Sequence, residues 1–422
     1  MAWGTSRFPS GISAAMRLLV IGAGMMGSAA AYDMAHSALV ESITLADVDK
    51  RRVRDAAGTV NRLSEGEKVS PIEADAADRR RMARLMSGHD AALSCVPYFC
   101  NLSLAEAAVE ARCHFADLGG NNSVVRRELE LDKKAAKRGV RIAPDCGLSP
   151  GLASILAGEL LRSIGGKADA LKIYVGGLPC DPQPPFHYQL VFSVEGLINE
   201  YSEPARILRN KKIVTIEPLT EVERFRLDGF PLLEAFHTSG GASTLPETFA
   251  GRVGECFEKT LRYPGHAAII RSLYDFGLFS REPRQVGKAK VKPRDLMTAL
   301  MLEKLSPPPA RRPIFGARLS HQPPDVTILR VEAVAGERCE SFTLVDHFDP
   351  RTGITAMMRT TAWPASIITQ MLASGEIGKL GAVLQERDVP PPQFLTQMAA
   401  RGIKIVQHST ALKTVTREAR RR

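Results

Sequence analysis

The stretch EAFHTSGGAST, Glu234–Thr244, puts a carboxylate, an imidazole, hydroxyls and a glycine pair close together, far from either end of the chain. A plain strand has no use for two adjacent glycines. Gly240 and Gly241 let backbone approach a ligand closely, and the Thr238 and Ser239 hydroxyls can then meet a polar substrate. His237 is the one imidazole of the stretch, suited to take a proton from an amine or an attacking water. The bland alternative for it is a histidine satisfied at a strand end.

Such a loop supplies one wall of a site, and an upstream stretch supplies the other. MRLLVIGAGMMG runs from a buried-strand pattern into Gly22, Ala23, Gly24, Met25, Met26 and Gly27, then into an alanine-rich helix. G-x-G-x-x-G between a strand and a helix is a dinucleotide-binding turn. The second strand ends at Asp47, twenty residues after Gly27. A carboxylate there accepts from ribose hydroxyls and repels a 2′-phosphate, so NAD is the expected cofactor. Lys50, Arg51 and Arg52 keep NADP open.

The alternation continues to residue 147 as six strands joined by five crossover helices. The fold class is α/β, a doubly wound parallel (Rossmann) sheet, with ligands outside the C-terminal strand ends. Those ends hold Asp75 near the adenine, then Val96 and Pro97 beside the nicotinamide ribose. Tyr98 and Asn101 face the nicotinamide side. Asp117 is placed to orient a base or bind an ammonium, or else to tie down the turn at Gly119; Asp145 carries the same two readings. Ser149 and Pro150 read as the N-cap and first residue of the next helix.

From about residue 168 strand patterns dominate and describe an α+β domain on a mixed or antiparallel sheet. VTILRVEAVAG, CESFTLVDHF and GITAMMRTTA read as a meander, and helices are expected near 195–209, 265–277, 293–304 and 364–374. The expected domains are a disordered leader 1–15, a dinucleotide domain 16–147, and a substrate and oligomerisation domain 148–375. Segment 376–422 would return to the first domain and end in a basic tail. PPPARRP at 307–313 reads as an exposed insertion.

Composition narrows the classes. The chain has 422 residues with 44% hydrophobic content, and no run nears the ~18 apolar residues of a membrane span. Its net charge of +10 lacks interleaved aromatics, so small anions are the expected partners and nucleic acid is not. Seven scattered cysteines form no C-x-x-C pair, which argues against a metal site and for reduced thiols in the cytoplasm. Cys146, in the PDCGLSPG loop, reads as a packing thiol.

Taken in order, GAGMMG, DLGG, PDCGLSPG, VGGLP, EAFHTSGG, TLRYPGHA and VKPRD resemble the saccharopine dehydrogenase-like oxidoreductases, most closely their lysine 6-dehydrogenase branch. The similarity runs from Met16 to about Gln407. It implies NAD-dependent oxidative deamination of the lysine ε-amine to 2-aminoadipate 6-semialdehyde, which cyclises, and ammonia. It also implies a homo-oligomer built through the second domain. A cation would then have to hold the substrate α-carboxylate: Arg262, in TLRYPGH, is the candidate, with an interdomain salt bridge as its other reading. Tyr188, Glu195 and His266 are further candidates, each with a structural role as its other reading. A saccharopine-type reductase, a dehydrogenase of another diamino acid and a non-catalytic NAD-binding sensor stay open.

Overall fold

The run MRLLVI becomes β1 (Met16–Ile21), apolar on both faces as a strand between two helical layers must be. It is the first strand of a computed structural model that describes residues 15–306 and 325–411. The next strands are β2 (Val40–Asp47), β3 (Val69–Glu73), β4 (Ala91–Ser94), β5 (His114–Asp117) and β6 (Arg141–Ala143). Then come β7 (Ala168–Pro179), β8 (Ala205–Arg209), β9 (Lys212–Ile216), β10 (Glu223–Phe225), β11 (Leu233–Phe236) and β12 (Val253–Arg262). A small hairpin, β13 (Arg284–Val286) and β14 (Ala289–Val291), precedes β15 (Asp325–Ala335), β16 (Arg338–His347), β17 (Gly381–Ala382) and β18 (Ile405–Ala411).

The first sheet has the order β17-β6-β5-β4-β1-β2-β3, parallel throughout. Its topology reverses between β1 and β4, where an open α/β sheet leaves a crevice. The second sheet runs β10-β11-β12-β7-β15-β16-β18, with the β8–β9 hairpin attached to β12. Its β7 and β12 are parallel, and β15 and β16 pair antiparallel, which makes it the mixed sheet of an α+β unit.

Several local expectations are corrected. GITAMMRTTA is not the third strand of a meander but the start of the helix Ala356–Ser374, which continues through Pro364. Its N-terminus is fixed by the Thr355 side chain and by Asp325, which accepts from the N–H groups of Ala356 (2.8 Å) and Met357 (3.0 Å). Those bonds favour a helix start over a strand. The third place in the meander is taken by β18. The helix expected over 195–209 ends at Ser202, Pro204 follows, and the rest of the span is β8. Ser149 and Pro150 lie in a non-helical turn, and the next helix is Ala153–Ser163.

The helix Ala356–Ser374 packs on the helix Met25–Ala35 and on β4 and β5, and also on β15 and β16 of the second sheet. The C-terminal segment is divided, β17 closing the first sheet and β18 the edge of the second. Buried Asp33 anchors this arrangement, accepting from Ser366 (2.6 Å) and pairing with Arg401 (2.6 Å). The leader (residues 1–14), the 307–313 insertion and the basic tail from 412 lie outside the described residues. No helix among the described residues is long and apolar enough to cross a membrane.

Candidate active site

The glycine turn leaves β1 with Gly22 at φ 103°, where a side chain would press on the Cys95 carbonyl oxygen at 2.8 Å. Gly27 packs against the Gly22 carbonyl so closely that a methyl group would collide with it. Gly24 has open space before it. No side chain caps the helix Met25–Ala35, which leaves its N-terminal N–H groups for an anion. Asp47 braces the turn: its Oδ2 accepts from Ala23 N at 2.8 Å, and its Oδ1 accepts from Asp49 N at 2.9 Å. Arg52 stands 3.6 Å from the same carboxylate. Asp75, just beyond β3, is exposed and accepts from Ala77 N at 2.9 Å. An open glycine cradle with an acid at the end of the second strand fits a pyridine dinucleotide.

From this turn a cleft of about 730 Å³ runs between the two sheets. The first sheet contributes Met26, Val96, Pro97, Tyr98, Gly119 and Asp145. The second contributes Thr238, Ser239, Gly240, Glu258, Thr260 and Arg262. The opening stretch therefore does face the nucleotide domain. Gly240 sits at φ 98°, and Gly241 lies directly on the Glu258 carboxyl. Ser243 donates to Asp145, and Ser149 donates to the Gly241 carbonyl at 3.3 Å, so the loop joins both halves.

The floor of the cleft is one face of β12. Side chains alternate across a strand, so Glu258, Thr260 and Arg262 point the same way. Thr238 Oγ1 bonds Thr260 Oγ1 (2.7 Å) and donates to Glu258 Oε2 (3.3 Å). Burial, with Glu200 nearby, pushes the Glu258 carboxyl up to about 8 against the pull of Thr238, Thr260 and Arg262. Burial pushes Asp145 up to about 7, with Asp117 adding to it. Glu200, opposed by Arg262, rises with burial to about 7. Three carboxyls around the cleft thus exchange protons near neutrality, as acid–base chemistry requires.

Arg262 is buried but only partly engaged. It donates to Tyr201 Oη (3.2 Å) and the Leu261 carbonyl (2.8 Å), lies over the Tyr188 ring, and has Glu200 4.0 Å away. His266, bonded to Tyr201 (2.9 Å) and the Phe186 carbonyl (2.8 Å), supports it from behind. Burial and Arg262 hold His266 down to about 3, a neutral structural imidazole.

Three of the residues expected for catalysis or substrate binding do not line the cleft. His237 points the opposite way from Thr238, bonding Glu221 Oε2 (3.2 Å) and the Glu258 carbonyl (3.3 Å), with the edge of Phe257 against it. Burial and Lys259 lower its proton affinity, and the catalytic role expected for it is withdrawn. Asn101 is buried and accepts from Ser94 (2.8 Å), inside the nucleotide domain. Asp117 lies behind the wall, its Oδ1 accepting from Gly119 N (2.6 Å) and Asp145 N (3.2 Å), so it ties down the turn. Cys146 is a buried free thiol that donates to the Ala143 carbonyl at 3.1 Å.

Glu258, Thr260 and Glu200 were missed from sequence, as were three further cations lining the cleft, exposed Arg281 and Lys292 and buried Arg294. Arg294 is paired with Glu195 (2.9 Å) and Asn199 (2.6 Å). The available signal was the E-x-T-x-R alternation ending at Arg262.

Residues 18–142 match the saccharopine dehydrogenase NADP binding domain, and residues 147–403 match the saccharopine dehydrogenase C-terminal domain. The chain is 27% identical over 248 residues to the alpha-aminoadipic semialdehyde synthase of Arabidopsis thaliana, 56% of this chain and 22% of that protein. It is 25% identical over 237 residues to the saccharopine dehydrogenase [NADP(+), L-glutamate-forming] of Pyricularia oryzae, covering 53% of this chain and 51% of that one. The chain thus spans about half or less of these curated relatives. The fold matches the saccharopine dehydrogenase (L-Glu forming) of Saccharomyces cerevisiae with a TM-score of 0.73 at 17% identity, over 94% of this chain and 100% of that one. With both halves of the cleft falling inside the matched regions, the chain belongs to the saccharopine dehydrogenase family.

Proposed function

We propose that this chain oxidises the carbon–nitrogen bond at the end of the lysine side chain, with NAD as hydride acceptor. The products are 2-aminoadipate 6-semialdehyde, which cyclises, and ammonia. The observation that carries the reading is the shared face of β12, where a buried cation and a buried titratable carboxyl border one cleft with the nucleotide turn. Arg262 binds the α-carboxylate through the part of its fork that Tyr201 and Leu261 leave free. Glu258 in its ionised form takes the proton of the ε-ammonium. A dinucleotide held by the glycine turn and Asp47 would supply the two-electron oxidation of the Cε–N bond to an iminium. Asp145, held by Ser243, takes a proton from the water that adds to it. Collapse of the carbinolamine then expels ammonia. NAD is favoured by the Asp47 carboxylate, although the named relatives include enzymes described by NADP(+).

A second reading has its own support. Arg281 and Lys292 at the mouth could hold the added carboxylates of a saccharopine-type secondary amine. Formation of reduced nicotinamide from lysine, cadaverine and saccharopine, with NAD and with NADP at pH 7 to 10, separates the readings. Turnover of lysine with NAD is expected. Turnover of saccharopine alone would move the assignment to the second reading, and a tenfold preference for NADP would remove the role given to Asp47. Binding of NAD without turnover of any amine would leave a nucleotide sensor. Assembly through the second sheet and a cytosolic location are part of the same proposal; sedimentation and fractionation test them.

A further inference from the structure

Behind the cleft wall two fully buried carboxyls face each other, Asp117 at the end of β5 and Glu128 in the helix Asn122–Leu129. Asp117 Oδ1 is committed to the N–H groups of Gly119 and Asp145, both of which line the cleft. Among the described residues, Asp117 Oδ2 and both Glu128 oxygens receive no other donor. Arg126 and Arg127, on the same helix, are exposed and point to solvent. Two ionised carboxylates cannot share a dry site; one must hold a proton. A single proton between them satisfies the otherwise orphaned Asp117 oxygen.

We propose that Glu128 is a positioning residue: as the neutral acid it donates to Asp117 Oδ2, and Asp117, kept ionised, fixes the Gly119 turn and the Asp145 backbone in the cleft. The electrostatics agree with the geometry. Burial and the Asp117 charge hold the Glu128 proton well above the carboxylate range, with Asp145 adding to it, while burial raises Asp117 only to about 6. The Cys95 and Cys146 thiols that face Asp117 are pushed up by burial and stay neutral. Glu128 does not line the cleft, so its role there is exercised through Asp117.

The role rests on reading the cleft as an amine oxidoreductase site, so one arm of the test is independent of turnover. The infrared difference between wild type and Glu128→Gln at pH 7 should contain a protonated carboxylic acid band lost in the variant. In the second arm, Glu128→Gln keeps an N–H donor and should retain kcat and the pH profile. Glu128→Leu removes the donor and should lose about tenfold or more in kcat, with KM for the nucleotide little changed. Its profile should steepen on the acid side, since Asp117 loses a bond that favours its ionised form and its protonation then adds to that of Glu258. An absent infrared band, a wild-type profile in Glu128→Leu, or equal impairment of both variants would overturn the proposal. If Glu128→Leu does not fold, Glu128→Gln and the infrared band still decide. If wild type turns over no amine, the activity reading fails while the infrared arm still decides the proton-sharing pair.

Discussion

Glu258 and Arg262 stand on the same face of β12 with Thr260 between them, and both reach one cleft opposite Asp145. One strand thus presents a buried carboxyl and a buried cation on a rigid element. The spacing between them is set by the pleat and not by a loop.

Glu258 should therefore govern the pH dependence of turnover. A base held at about 8 is mostly protonated at neutral pH, so kcat/KM is expected to rise through roughly pH 7 to 9. Glu258→Gln should lose on the order of 10²–10⁴ in kcat/KM, the usual range for a general base. His237→Gln, altered on the other side of the same sheet, should stay within about threefold. Matching losses in both variants would return His237 to the chemistry.

The same carboxyls make stability depend on pH with a definite sign. Glu258 and Asp145 bind protons at about 8 and about 7 in the folded chain, well above ordinary carboxylates. Between the unfolded and folded values the native state holds protons that the unfolded state has lost, so stability falls as pH rises. His237 and His266 have depressed proton affinities and push the other way, but only below the ordinary histidine range. From about pH 6.5 to 8.5 the carboxyls dominate. The Tm of the nucleotide-free protein should drop across that window, and Glu258→Gln should flatten the drop. A rising Tm would mean that these groups are ionised at neutrality.

The glycine turn offers a contrast between folding and binding. A methyl group on Gly27 collides with the Gly22 carbonyl, whereas one on Gly24 meets nothing within 4 Å. Gly27→Ala should destabilise the protein by more than about 2 kcal/mol, as overpacking against backbone does. Gly24→Ala should keep the wild-type Tm and lose affinity for the nucleotide, measured by fluorescence titration. Wild-type affinity in Gly24→Ala would mean that the phosphates pass elsewhere.

These contrasts also show why some features were legible in the sequence. Close backbone approach leaves no substitute for glycine, so Gly22, Gly24 and Gly27 announce the turn wherever they occur. Buried parallel strands read as apolar runs, and all six expected strands of the first sheet are present. The helix at Ala356 was hidden because Asp325, thirty-one residues earlier, helps to fix its N-terminus. His237 was misplaced by parity alone: adjacent residues at a strand end face opposite sides, and Thr238 took the cleft. Glu258 was overlooked because alternating charge along a strand looks like a solvated face until a second domain covers it.

Arg262 is the remaining test of substrate choice. Lysine differs from cadaverine by one α-carboxylate, and selection for it requires a cation in the cleft. Tyr188 and Tyr201 fix the guanidinium plane, and among the described residues its Nη2 is engaged only by Glu200 at 4.0 Å. A hydrogen bond to a charged group contributes roughly 1.5–3 kcal/mol, about ten- to more than a hundredfold in binding. Wild type should oxidise lysine and barely touch cadaverine. Arg262→Ala should lose most lysine activity in kcat/KM while cadaverine activity changes far less. Arg262→Lys keeps the charge without the planar fork and should fall between the two. Because Arg262 also opposes the rise of Glu258 and Glu200, its removal should shift the pH profile upward for both substrates. Equal losses on lysine and cadaverine would make Arg262 structural, and the clamp would then pass to Arg281 or Lys292 at the mouth of the cleft.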